Sequence, residues 1–311
     1  MGKIAVVFSG QGAQKVGMCQ DIYEKYDLAK KTFDCFSQIK NDLKQVCFES
    51  DEETLMKTIN TQPCLYATQV AIFNVFNEII SQKNIKIEGF AGFSLGEIAA
   101  LYASGVYSFD DGFKIVCQRA SLMQMCADKT DGAMVACLKL TPEQINEIAN
   151  SFENTFAVNY NSVAQTVVAT KKENVDVFCS TIKENKGKAI PLAVSGGFHC
   201  PFMDEAAKGL NLFLNSENID ISSPKTNVYA NKNGQVYPTQ KKEIIETLSN
   251  QVNNPVFWQA TIENMINDGF DTFIEIGAGK TLCGLIKKIN SEVKTISIED
   301  VESLETAIEN L

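Results

Sequence analysis

The chain has 311 residues, 45% of them hydrophobic, enough to bury a large core and to build either two domains or one domain carrying an insertion. Its formal charge of -10 excludes a broad nucleic-acid footprint, which needs clustered basic surface. No stretch reaches membrane-span length and no signal-peptide pattern follows Met1. The ten cysteines contain no Cys-x-x-Cys pair, and one histidine cannot complete the usual zinc sets, so the expectation is a reduced, cytoplasmic protein with no metal.

In chain order, short apolar runs alternate with longer helical patterns, which predicts an α/β sheet covered by helices. The runs Ile4 to Ser9, Gly89 to Phe93, Thr226 to Ala230, Thr272 to Ile276 and Val293 to Ile298 read as strands. Helical spacing covers Pro63 to Ile80, Leu95 to Ser104, Asp111 to Cys126, Val256 to Asn267 and Leu282 to Ile289, with a short terminal helix over Glu302 to Leu311.

The middle of the chain has another rhythm. Ala133 to Leu140, Thr155 to Tyr160, Thr166 to Thr170 and Ala189 to Val194 read as strands, with helices over Pro142 to Asn150 and Glu173 to Glu184. That β-α-β-β-α-β order is ferredoxin-like. The predicted organisation is an α/β-hydrolase-like large domain, residues 1–130 and 196–311, with a ferredoxin-like subdomain inserted at 131–195 and the site in the cleft between them.

Gly92-Phe93-Ser94-Leu95-Gly96 falls between a predicted strand and a predicted helix, where a sharp turn projects a serine hydroxyl and the glycines leave room for the bend. The Leu95 N–H at the helix start is placed to stabilise an oxyanion. A serine that merely caps the helix is the plainer reading. A serine nucleophile needs a base, and His199 is the only imidazole in the chain; it lies in the loop Ser195-Gly196-Gly197-Phe198-His199, although a lone histidine can also be structural. Gly10-Gln11-Gly12 offers further amides, and its resemblance to a dinucleotide fingerprint fails because Lys15 occupies the third glycine position. Gly279-Lys280-Thr281 is no P-loop, since Ile274 stands where the earlier glycine belongs.

Of 28 basic side chains only Arg119 is an arginine. Its neighbours one helical turn away, Ile115, Val116, Leu122 and Met123, are apolar, and a guanidinium on such a face needs an anion. That anion is either the substrate or a distant Asp or Glu.

Together these segments resemble the malonyl-CoA:acyl carrier protein transacylase family over essentially the full length. The matching stretches are Phe8 to Gln14, Gly92 to Glu97, Gln118 to Met123, Gly132 to Met134, Asn159 to Gln165, Ser195 to Met203, Gln251 to Trp258 and Glu275 to Lys280. The resemblance implies ping-pong transfer of malonyl from malonyl-CoA to acyl carrier protein through an ester on Ser94. His199 would exchange the proton, Arg119 would grip the free carboxylate, and the N–H groups of Gln11 and Leu95 would form the oxyanion hole. The family orients its histidine with a main-chain carbonyl, a role matched here by Gln251. Met123 and Asn161 fall within matching segments and join the expected substrate site. No cofactor or metal is implied, and the chain is expected to be a monomer. A polyketide malonyl transferase acting in trans and an acyl-thioester hydrolase are the alternatives.

Phe198 matches the pattern for malonyl over methylmalonyl, because a bulky ring would crowd an α-methyl branch. Two departures stand out: Phe93 replaces the histidine that usually precedes the serine, and Val163-Ala164 replaces a common Pro-Gly.

Overall fold

The computed structural model describes residues 2–216 and 219–311. Its strands are, in chain order, β1 (Lys3–Phe8), β2 (Gly89–Gly92), β3 (Gly132–Leu138), β4 (Phe156–Ser162), β5 (Gln165–Lys171), β6 (Lys188–Pro191), β7 (Asn227–Tyr229), β8 (Phe270–Ile276) and β9 (Lys294–Ile298). Every pairing in the larger sheet is parallel, in the order β7-β2-β1-β8-β9. A parallel sheet is buried on both faces, which is why β1 reads as a continuous apolar run rather than an alternation. Ala5 and Val7 pack on one side with Trp258, Ile262 and Leu285. Val6 and Phe8 face the other side, where Phe8 meets Phe73 edge-on, with ring centroids 5.7 Å apart.

The smaller sheet is antiparallel in the order β4-β5-β3-β6, the arrangement expected of a ferredoxin-like unit. Helices Pro142–Asn150 and Val175–Glu184 cover one face through Ile145, Ala149, Phe178 and Ile182. Met134, Ala136, Val167 and Ala169, on the opposite face, join the main core. Direct backbone bonds tie the units together: Tyr160 N–H donates to Val256 O at 2.9 Å and Val256 N–H to Val158 O at 2.8 Å. The fold is therefore mixed α/β, with a parallel sheet beside a separate antiparallel one.

Some boundaries differ from the sequence reading. The helix expected from Pro63 runs Thr58–Gln82, because its first turn forms ahead of the proline, where Thr61 N–H already bonds Lys57 O. Pro63 lies in the second turn, where it removes one N–H that would otherwise bond Ile59 O, a cost offset by the burial of this part of the helix. The strand expected to reach Val194 stops at Pro191, and its chain continues through Ser195 toward the site. Helices Gln20–Lys25, Asp27–Ile39, Leu43–Glu49, Glu52–Met56, Asp204–Leu214 and Lys241–Ser249 were not read from the sequence. Among the described residues no helix is long and apolar enough to cross a membrane.

Candidate active site

Ser94 stands at the end of β2, just before helix Gly96–Ala103. A Cβ on Gly92 would lie 1.9 Å from the Gly96 carbonyl carbon, and one on Gly96 would lie 2.1 Å from Phe8 O. Only glycine fits at either position, and the turn closes tightly enough to force Ser94 to φ 52°, the left-handed region that non-glycine residues rarely adopt. His199 is held the same way at φ 61°. Both residues expected to react therefore sit on strained backbone.

Ser94 Oγ lies 2.7 Å from His199 Nε2. On the far side of the ring, Nδ1 lies 3.0 Å from the Gln251 main-chain oxygen. A carbonyl only accepts, so Nδ1 carries the proton and Nε2 is left as an acceptor for the serine hydroxyl. Burial, reinforced by the nearby Arg119 guanidinium, lowers the imidazole from 6.5 to about 4, so it is neutral at physiological pH.

Arg119, on helix Phe109–Thr130, is 1% exposed, and among the described residues no carboxylate forms an ion pair with it. Neutral oxygens hold the fork instead: Nη1 donates to Gln62 Oε1 at 2.7 Å, and Nη2 donates to Gln251 Oε1 at 2.8 Å and to Ser94 Oγ at 3.1 Å. Its buried Nε has no hydrogen-bond partner among the described residues. Burial lowers its pKa to about 10, which still leaves it charged at neutral pH. A distant-acid ion pair, the alternative left open by the sequence, is absent among the described residues.

Gln251 joins all three groups, since its Nε2 also donates to Ser94 O at 2.6 Å. Neither the Leu95 N–H nor the Gln11 N–H donates to another group among the described residues. Gln11 follows Gly10, which packs directly against Phe93, and its side chain donates to Thr58 Oγ1 at 3.3 Å. Thr58 in turn contacts Ser195 Oγ at 2.8 Å, linking the glycine loop to the segment that leaves the small sheet.

Of the remaining expected residues, Met123 touches this hydrogen-bonded set through Gln62, whereas Asn161 and Phe198 stand outside it. Met123, one turn beyond Arg119, accepts from Gln62 Nε2 at 3.4 Å. Asn161 is buried on β4, its Oδ1 without a partner among the described residues. Phe198 is buried in the main core, 5% exposed.

Sequence reasoning passed over Gln62 and Asn231. Gln62 is a polar residue directly before Pro63 in a largely buried helix, and Asn231 begins the turn Asn231-Lys232-Asn233-Gly234; those were the available signals. Asn231 Oδ1 accepts the Ser94 N–H at 2.7 Å. Glu97, included in the elbow motif but given no role, is fully buried and raised by that burial to about 7.

A hydroxyl touching a neutral imidazole, beside free amide donors and a charged guanidinium, can carry an acyl group on oxygen. The fold and this elbow fit the class of acyl-transfer enzymes. The chain belongs to the acyl transferase domain family, which matches residues 5–305. It is 37% identical over 317 residues to the malonyl CoA-acyl carrier protein transacylase of Bacillus subtilis, covering 100% of this chain and 98% of that one. The protein of the same name from Haemophilus influenzae is 39% identical over 316 residues, with 100% of each chain covered. Among solved structures, the Clostridium perfringens malonyl CoA-acyl carrier protein transacylase superposes with a TM-score of 0.91 at 38% identity, covering 99% of this chain and 96% of that one. A malonyl-transacylase in complex with its type II polyketide acyl-carrier protein gives 0.93 at 34% identity, with 99% and 100% covered.

Proposed function

We propose that this acyltransferase moves malonyl from malonyl-CoA to the phosphopantetheine thiol of acyl carrier protein in fatty-acid synthesis, through an ester on Ser94. The observation that carries this reading is Ser94 Oγ lying 2.7 Å from His199 Nε2 and 3.1 Å from an Arg119 that has only neutral partners. A cation kept charged and unneutralised beside the nucleophile suits an acyl group that ends in a carboxylate.

In the first half-reaction Ser94 Oγ attacks the thioester carbon while His199 Nε2 takes the hydroxyl proton. The Leu95 and Gln11 N–H groups receive the oxyanion, the C–S bond breaks, and the imidazolium returns its proton to the departing coenzyme A sulfur. In the second, His199 takes the proton of the carrier thiol, the sulfur attacks the ester carbon, and Ser94 leaves and recovers the proton. Arg119 fixes the malonyl carboxylate through both halves, which converts binding into alignment. Phe198, Met123 and Asn161 complete the acyl and pantetheine surroundings.

The protein acts in the cytoplasm as a monomer, with residues 131–195 as the inserted subdomain and 1–130 with 196–311 as the catalytic body. Similarity to a transacylase with a polyketide carrier keeps that pathway as the second reading. Intact-mass analysis after mixing with malonyl-CoA tests the main reading: a malonyl increment should appear, vanish in Ser94→Ala, and discharge onto fatty-acid carrier protein faster than onto a polyketide carrier. Discharge to water as fast as to either carrier would instead mark a hydrolase.

A further inference from the structure

The Ser94 turn is splinted by a residue remote in sequence. Asn231 is fully buried, and both ends of its side-chain amide bond the turn's backbone: Oδ1 accepts from Ser94 N–H at 2.7 Å, and Nδ2 donates to Gly92 O at 2.6 Å. Its own backbone is fixed as well. Asn231 N–H donates to Glu97 Oε2 at 2.6 Å, and Asn231 O accepts from Phe257 N–H at 2.8 Å. The other oxygen of Glu97 accepts from the Tyr237 hydroxyl. The splint therefore reaches from the end of β2, past the nucleophile, to the first turn of the helix that follows.

We propose that Asn231, anchored by Glu97 and Tyr237, is the positioning residue of this nucleophile: it holds Ser94 in its left-handed conformation so that Oγ meets His199 Nε2. The need is physical. A left-handed backbone is disfavoured for a non-glycine residue, so the turn relaxes unless neighbouring bonds over-determine it. The Ser94 N–H, at a strand-to-helix junction, has no helical acceptor of its own. Asn231 satisfies that donor inside the protein and turns it away from the reacting carbon, which leaves the oxyanion to Leu95 and Gln11. Loss of the amide would let Oγ drift from the imidazole without removing any group that touches substrate.

This assignment rests on the acyl-transfer reading, and its test separates the two. Single-turnover malonylation of Ser94 would be followed by intact mass across malonyl-CoA concentrations, in parallel with phosphonylation of Ser94 by a fluorophosphonate, which needs no malonyl. Asn231→Ala should lower both limiting rates about 100-fold while half-saturating concentrations stay within about threefold, the loss expected of a displaced reacting atom. Asn231→Asp keeps the acceptor for the Ser94 N–H and should recover to about tenfold below the parent, roughly half that loss in free-energy terms. Parental limiting rates in folded Asn231→Ala, or a loss confined to half-saturation, would overturn the assignment. Should Asn231→Ala not fold, Asn231→Asp decides: a rate about tenfold down supports the splint and a parental rate removes it. A parent that takes no malonyl refutes the acyl-group reading alone, and phosphonylation then judges Asn231.

Discussion

The Nδ1–H of His199 ends on the main-chain oxygen of Gln251 at 3.0 Å, so a neutral carbonyl orients the catalytic imidazole of the proposed mechanism. A carboxylate in that place would raise the pKa of the ring by stabilising the imidazolium; a carbonyl dipole does so far less. Burial and Arg119 then dominate, and the ring is lowered from 6.5 to about 4.

The acid limb of Ser94 malonylation should accordingly inflect near about 4 rather than near 6.5. Single-turnover rates measured by rapid quench across that range check it. Stability carries the matching sign. Because the fold disfavours the protonated ring, the contribution of His199 is lost as pH falls from 6.5 toward about 4.

Replacing Arg119 by Ala should lower kcat/KM for malonyl-CoA relative to acetyl-CoA about 100-fold, equivalent to about 2.7 kcal/mol. Arg119→Lys should retain the charge yet recover little, because a single ammonium cannot reproduce a fork held at Gln62 and Gln251 while it binds a carboxylate. Competition between the two acyl-CoAs gives the ratio directly. A ratio equal to the parent's would dismiss the clamp.

Phe198→Ser should raise the use of methylmalonyl-CoA relative to malonyl-CoA about tenfold, within the range a single methyl group commands in a pocket. Because Phe198 is buried in the main core, the same change should cost about 3 kcal/mol of stability. Mixed-substrate mass analysis and denaturant unfolding read the two effects separately. Unchanged preference with lowered stability would reduce Phe198 to a packing residue.

Phe93 offers a test in the opposite direction. Its ring lies edge-on to Trp258, centroids 5.5 Å apart, and the buried Trp258 indole nitrogen has no hydrogen-bond partner among the described residues. Phe93→His places a ring nitrogen beside that orphaned donor and should stabilise the protein by about 1 kcal/mol, raising the unfolding midpoint by about 2 °C. A lower midpoint would mean that the aromatic contact outweighs the unmet donor.

Local pattern carried much of this molecule. The elbow glycines announce a turn that no larger residue could make, and the apolar run of β1 announces a strand buried on both sides. Arg119 is legible because it is the one arginine and sits on an apolar face. Asn231 and Gln62 are not, since their partners lie 137 and 57 residues away and a polar residue at a turn or helix start has ordinary local explanations. Asp27–Ile39 was open to reading, because its buried Ala29, Thr32, Phe33 and Phe36 keep helical spacing. Pro63 misplaced a helix start, as a residue whose local preference was overruled by the turn preceding it.

The cradle of amide oxygens around Arg119 also bears on the stability of the folded protein. An interior cation hydrogen-bonded only to neutral acceptors keeps an electrostatic demand in the native state, part of which a bound carboxylate would meet. In the proposed mechanism a carboxylated donor that binds the native state stabilises it by mass action, so the unfolding midpoint should climb as malonyl-CoA is raised.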